Sequence, residues 1–180
     1  RTNYDLFAHS KHSGKELSYY DEISKQHLVP YVIEPSFGLD RAIMALLIEA
    51  YREEDVINSK GIPEQRISLK LNPLIAPIQV AILPLSKKAN LSKLAREIYQ
   101  NIKSSTAING MVYYDETQSI GRRYRRQDEI GTPLCITVDF DSLDDKSVTI
   151  RERDSMDQVR VRIDKLENAI VSQLSNKEHN

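Results

Sequence analysis

The hydrophobic pattern changes its period twice along this chain of 180 residues. Residues 31–37 carry bulky side chains on alternate positions, and residues 42–48 are then apolar nearly all round. That order predicts a buried strand, a tight turn at Gly38 and a long helix buried on most sides. On such a strand Tyr31, Ile33, Pro35 and Phe37 share one face, and Val32, Glu34, Ser36 and Gly38 share the other. Upstream, residues 1–12 mix Tyr4, Leu6 and Phe7 with polar residues and show no clear period, whereas residues 16–21 read as a short strand. The helix ends in Arg52, Glu53, Glu54 and Asp55, and residues 58–63 (Asn58, Ser59, Lys60, Gly61, Ile62, Pro63) read as a surface loop. Residues 66–71 alternate as another short strand. Pro73 and Pro77 then interrupt regular structure and mark a boundary between domains at 1–75 and 76–180.

Past that boundary the chain alternates strands with helices. A strand over residues 78–83 stops at Pro84, and Asn90 reads as the cap of a helix whose Leu91, Leu94, Ala95, Ile98 and Ile102 lie on one face. Residues 111–114 form a second strand, Ser119 opens a helix through Ile130, and Gly131 and Pro133 stop it. Strands over 134–140, 147–151 and 158–163 follow, the first two separated by the acidic turn 141–145, and a helix over 165–174 closes the run. The order βαβαββα implies an α/β domain with a mixed sheet and helices on its faces.

Composition narrows the field only a little. The chain has 25 Lys and Arg against 26 Asp and Glu, so any nucleic-acid contact must come from a local patch rather than from overall charge. Cys135 is the single cysteine and sits in an apolar run, which reads as a core thiol in a reducing compartment. No apolar run is long enough to span a bilayer, and the first residues do not resemble a signal peptide, so a cytoplasmic, non-membrane protein is expected. His9 and His12 lack a third ligand in sequence reach, and no metal site is assigned.

Two stretches carry candidate chemistry. Glu34, Ser36 and Gly38 put a carboxylate, a hydroxyl and a bare backbone on one strand face, and Arg41 falls in the first helical turn, where the macrodipole disfavours a cation unless an anion or ring accompanies it. The same spacing also suits a buried Glu34–arginine pair and an Arg41 lying along the helix surface. In the second domain Arg122, Arg123, Arg125 and Arg126 cannot all lie on one side of a helix, so some must be structural, pairing with Asp128, Glu129 or other acids. Arg151, Arg153, Arg160 and Arg162 fall on alternate positions of two strands, with Val159, Val161 and Ile163 toward the core. Such a hairpin presents either a basic face for a single-stranded RNA loop or a cross-strand charge ladder without function.

The string Tyr31-Val32-Ile33-Glu34-Pro35-Ser36-Phe37-Gly38-Leu39-Asp40-Arg41 resembles the third signature motif of class II aminoacyl-tRNA synthetases, in the form found in the glycyl-tRNA synthetase family. Upstream, Arg-Thr-x-Tyr-Asp-Leu and His-Ser-Gly are similar to the approach to that motif. Residues 119–133 and 151–156 are similar to two blocks of the dimeric type of the same family. The resemblance implies the C-terminal strand–helix part of an antiparallel class II catalytic domain over 1–75, followed by an anticodon-binding domain over 76–180.

It also implies a reaction and its partners. Members of the family activate glycine with ATP, magnesium assisting, to glycyl-adenylate, and transfer glycyl to the 3′ end of glycine tRNA as homodimers. On matched positions Glu34 would hold the glycine ammonium with Ser36 beside it, Pro35, Phe37 and Gly38 would complete the glycine pocket, and Gly38, Leu39, Asp40 and Arg41 would meet ATP. No residue is assigned a catalytic role, because the chemistry needs alignment and charge neutralisation rather than a covalent nucleophile. Selectivity for glycine implies a pocket with no space for a methyl group. Glycine anticodons carry two cytosines, whose N4 amino groups want carboxylate acceptors, and Glu152 and Asp154 beside Arg151, Arg153, Arg160 and Arg162 would supply them. The first two class II motifs are not in this sequence, so these residues are expected to be the C-terminal portion of a longer enzyme and to form no adenylate alone. The alternative is a non-catalytic, synthetase-like nucleic-acid-binding module or polymerase accessory subunit; Glu34, Ser36 and Arg41 argue against it, since such a module needs no ammonium site.

Overall fold

The computed structural model describes residues 2–57 and 61–175. Of the expected surface loop at 58–63, Asn58, Ser59 and Lys60 lie outside the described residues. By contact the chain falls into two compact units, residues 1–42 and 43–180.

In the first unit, helix α1 (Tyr4–Ser13) forms where no period was legible. Gly14 ends it in the left-handed conformation with its N–H on the Ser10 carbonyl, the usual glycine stop. A two-stranded hairpin follows, β1 (Tyr19–Asp21) antiparallel to β2 (Gln26–Leu28), and its turn is held by the Asp21 carboxylate accepting from the N–H groups of Ile23 and Ser24. Residues 29–38 are not a strand. Tyr31, Ile33 and Phe37 are exposed, against the expectation of a buried strand, because a strand needs a neighbour to take its hydrogen bonds and no ladder forms here among the described residues. The N–H of Val32 bonds the carbonyl of Thr2 instead. Nor does Gly38 make a left-handed turn, since the positive-φ glycines described are Gly14, Gly61 and Gly131.

Helix α2 (Leu39–Ala50) forms as its apolar run requires, but Ile43, Met44, Leu46, Leu47 and Ile48 are exposed and Ala50 alone is buried. Its pattern encodes burial, and nothing in the pattern says which layer does the covering. The charged stretch after it is a strand rather than a helix end. Strand β3 (Tyr51–Ile57) pairs antiparallel with β4 (Pro63–Leu69), and the Arg52 side chain donates back to the carbonyls of Glu49 and Tyr51, closing the end of α2. The expected strand at 66–71 thus begins and ends earlier, and its buried residues are polar, Arg66 and Ser68, while Ile67 is exposed.

The mixed sheet is built as the βαβαββα order demands. Strand β5 (Ile78–Pro84) lies between β6 (Met111–Tyr114) and β7 (Leu134–Val138), parallel to both, and β8 (Ser147–Glu152) and β9 (Gln158–Arg162) add antiparallel beyond β7. Alternation sorts the side chains to two faces. Val80, Ile82, Ile136, Val148 and Ile150 form the main core with Leu91, Ala95, Ile98 and Ile102 of α3 (Ala89–Ser104) and with Leu166 and Ile170 of α6 (Leu166–Ser175). Ala81, Leu83 and Cys135 face the other way, against Ile120 and Tyr124 of α4 (Ile120–Glu129). Helix α3 starts one residue before the expected cap, and Asn90 Oδ1 accepts from the Leu91 N–H inside its first turn. The acidic turn is a single helical turn, α5 (Ser142–Asp145). Val161 and Ile163 pack on the core as expected, but Val159, on the edge strand, is exposed.

Candidate nucleic-acid interface

Register places the second arginine set. Cys135, Arg151 and Gln158 are directly opposed across β7, β8 and β9, as are Thr137, Thr149 and Arg160, while Arg162 opposes Ser147. All these side chains therefore belong to the face that carries α4.

Arg151 lies beneath α4 and is 6% exposed. Its Nη1 and Nη2 donate to the two oxygens of Asp128 at 2.9 and 3.1 Å, and its guanidinium stacks on the Tyr124 ring, 4.7 Å from the centroid. Burial alone would lower its pKa, but the Asp128 carboxylate outweighs that and raises it. Arg153, in the turn after β8, is 2% exposed; it donates to the Gly131 carbonyl at 2.8 Å and to both oxygens of Asp154 at 2.6 and 3.0 Å. Gly131 adopts φ 83° and its missing Cβ leaves space for Leu69 and Leu71, so this turn suits glycine alone.

Arg160 stays on the surface edge but is clamped. Nε donates to Asp145 at 2.8 Å and Nη1 to Asp139 at 2.7 Å, and Nη2 reaches both acids. Those hydrogen bonds raise the pKa of Arg160 and hold both aspartates below the usual carboxylate range. Arg162 is exposed and pairs with Asp164 at 3.1 Å. The hairpin thus presents ion pairs rather than four bare guanidinium groups, and two of its arginines are interior. Glu152, the last residue of β8, and Asp154, in the turn after it, are half-buried, and Glu152 accepts from the N–H groups of Asp154 and Ser155 at 3.1 and 2.6 Å.

The helix arginines divide as expected between structural and exposed positions. Arg123 is 2% exposed and donates through Nη1 to the carbonyls of Pro84 and Asp115, with burial pulling its pKa down. Arg126 bonds Asp115, Arg125 pairs with Glu64 at 2.6 Å, and Arg122 is exposed. Cys135 is buried, and burial pushes its thiol up to about 12, as suits an inert core residue.

In the first unit, Glu34, Pro35, Ser36, Phe37, Gly38, Leu39, Asp40 and Arg41 are all exposed and follow one another along residues 34–38 into the first turn of α2. Asp40 supplies a carboxylate in that turn, where the helix dipole favours one. Among the described residues no group of three His, Cys, Asp or Glu is arranged to hold a metal ion. Likewise, no described helix is long and apolar enough to cross a membrane.

Sequence reasoning missed Arg66 and placed Asp128 with the helix arginines rather than with Arg66 and Arg151. Arg66 donates to Asp128 at 2.9 Å, to Glu54 at 3.2 Å and to the carbonyl of Arg153 at 2.5 Å, joining β4, α4 and the turn after β8. The one signal in the sequence was a lone arginine within an alternating strand. Two of its three partners lie 62 and 87 residues away, beyond any local pattern.

Residues 79–173 match the family model described as an anticodon binding domain. The chain belongs to the anticodon-binding domain family. Similarity runs well beyond that domain: the chain is 52% identical over 167 residues to the glycine–tRNA ligase of Cutibacterium acnes, covering 93% of this chain and 34% of that protein. It is 50% identical over 177 residues to the glycine–tRNA ligase of Bifidobacterium longum, covering 98% of this chain and 36% of that one. The chain therefore spans about a third of the length of these curated relatives. A prolyl-tRNA synthetase of Cryptosporidium parvum, solved with L-proline and AMP, shares the fold with a TM-score of 0.57 at 22% identity, over 69% of this chain and 31% of that one. In the anticodon-binding domain the match begins at Gln79 and includes every arginine of the hairpin, but not Arg66.

Proposed function

We propose that this chain is the third-motif and anticodon-reading portion of a glycine–tRNA ligase, an enzyme that activates glycine with ATP to glycyl-adenylate and transfers glycyl to glycine tRNA. The observation that carries the reading is identity of about half over nearly the whole chain with proteins named glycine–tRNA ligase. The string from Tyr31 to Arg41 adds the residues that such chemistry needs. In this reading residues 1–75 belong to the catalytic domain and 76–180 to the anticodon domain. That is a division by function, distinct from the division by contact at residue 42, because the β3–β4 hairpin packs with the anticodon domain through Arg66.

Glu34 would hold the glycine ammonium with Ser36 beside it, and Pro35, Phe37 and Gly38 would shape a pocket too small for a side chain. Gly38, Leu39, Asp40 and Arg41 would receive ATP, Arg41 against the adenine ring, with magnesium carried by the nucleotide. The parent would act as a cytoplasmic homodimer. At the anticodon edge, Glu152 and Asp154 supply acceptors for the N4 amino groups of two cytosines. Arg162 and Arg160 supply phosphate contacts, while Arg151 and Arg153 hold the edge from inside.

Binding of a glycine anticodon stem-loop to the 180-residue chain tests the reading. Affinity should fall steeply as salt rises, because phosphate neutralisation supplies most of the attraction. Arg162→Ala should weaken all loops alike, whereas Asp154→Asn should cost about 1–3 kcal/mol on the two-cytosine loop alone. Equal binding of loops with and without those cytosines would remove base reading from this edge.

A further inference from the structure

We propose that Arg66, outside the matched anticodon-binding span, is a positioning residue for base recognition: it fixes the turn between β8 and β9 so that Glu152 and Asp154 meet the bases. The inference rests on the anticodon reading above. Its starting point is one peptide unit. The carbonyl of Arg153 accepts from Arg66 Nη2 at 2.5 Å, and the N–H of Asp154, on the other side of the same peptide bond, donates to Glu152 Oε1 at 3.1 Å. That plane is held on both sides, and the two carboxylates flank it.

The rest of the turn is built outward from this plane. Glu152 also accepts from Ser155 N–H at 2.6 Å, and Asp154 receives two hydrogen bonds from the Arg153 guanidinium, itself anchored on the Gly131 carbonyl. Met156 completes the turn at φ 61°, a conformation that side chains other than glycine rarely adopt and that surrounding contacts must enforce. Without the Arg66 bond the Arg153–Asp154 peptide is held on one side only, by the Asp154 N–H on Glu152, and the spacing of the two carboxylates is no longer fixed.

Arg66 is suited to hold this plane and unsuited to touch RNA. It is 6% exposed, and its three donor groups point three ways, to Asp128, Glu54 and the Arg153 carbonyl. The planar fork of a guanidinium spans such acceptors at fixed angles; a lysine ammonium, a single point of charge, cannot. Arg66 also stands on β4, whose partner β3 continues directly from α2, so the strand that holds the turn is tied to the helix of the third motif.

The test compares the wild-type chain with Arg66→Lys and Arg66→Gln, on a glycine anticodon stem-loop and on a loop whose two cytosines are uracils, which lack the N4 amino group. For variants that melt cooperatively with wild-type circular dichroism, the preference for the cytosine loop should drop about tenfold, the discrimination one base pair supplies. The salt slope should not change, because no phosphate contact is lost. Folded variants that keep the full preference, or that lose affinity equally for both loops, overturn the proposal. If neither variant folds, the Arg66 Nε–H resonance of the wild-type chain decides: addition of the cytosine loop should shift it more than addition of the uracil loop, although the group is buried. An equal or absent shift overturns the proposal. A wild-type chain without preference for cytosines sinks the anticodon reading itself, a result distinct from loss of preference in the variants alone.

Discussion

Asp128, at the end of α4, receives both Nη groups of Arg151 from β8, one on each carboxylate oxygen. Arg66 adds a third hydrogen bond to the same carboxylate, and all three side chains are less than a tenth exposed. One acid therefore neutralises two interior cations. Removing it strands Arg151 and leaves Arg66 with Glu54 as its remaining acid, and the loss of a buried partner costs far more than the pair itself contributes. Asp128→Ala should lower unfolding free energy by about 3–5 kcal/mol in urea titrations. A change under about 1 kcal/mol, the range of surface pairs, would show that water reaches the cluster.

Gly110 is required by packing rather than by backbone conformation. A Cβ there would overlap the side chain of Gln79, whose amide accepts from the Gly110 N–H at 3.0 Å and donates to the Pro73 carbonyl at 2.9 Å. Gly110→Ala should thus cost about 1–3 kcal/mol, because displacing Gln79 breaks both of these hydrogen bonds. Combining it with Gln79→Ala should recover part of that loss; strictly additive costs would mean that the two residues do not compete for space.

The Arg160 clamp carries a pH signature. Hydrogen bonds from Arg160 hold Asp139 and Asp145 below their usual range in the folded chain, whereas unfolded aspartates titrate near about 3.9. The clamp's stabilisation is complete above that value and is lost as pH falls through the lower folded values. Arg160→Gln should accordingly melt below wild type at pH 7, and the gap should narrow as pH falls below about 4. A gap independent of pH would assign the effect to lost packing of the arginine stem.

In a glycine–tRNA ligase that carries this segment, Glu34→Gln should reduce glycine-dependent pyrophosphate exchange by about ten- to a hundredfold through KM, the range for a lost charged hydrogen bond. Arg41→Ala should weaken ATP without changing the melt. Unchanged exchange in the first variant would remove Glu34 from the ammonium site, and normal ATP affinity in the second would make Arg41 structural.

The amino-acid sequence by itself determined the anticodon-binding domain almost element by element. Its signals are local there: the period of Leu91, Ala95, Ile98 and Ile102, the stop at Gly131 and Pro133, and apolar runs short enough to be strands. It also carried the string from Glu34 to Arg41, since a motif is a matter of residue order. Tertiary structure decided what order cannot express. Residues 31–37 have a strand's composition but no ladder to join, and α2 has a buried helix's composition but an exposed surface. The charged run from Arg52 to Asp55 became a strand because Glu54 found Arg66 and Lys70 across the hairpin. Above all, the fate of each arginine depended on where its acid came to rest. Arg151 and Arg153 went inside because Asp128 and the Gly131 carbonyl meet them there, whereas Arg160 and Arg162 stayed at the edge with aspartates that are themselves at the surface. A buried charge is tolerated only with a partner in place, and partners dozens of residues apart are brought together by the fold alone.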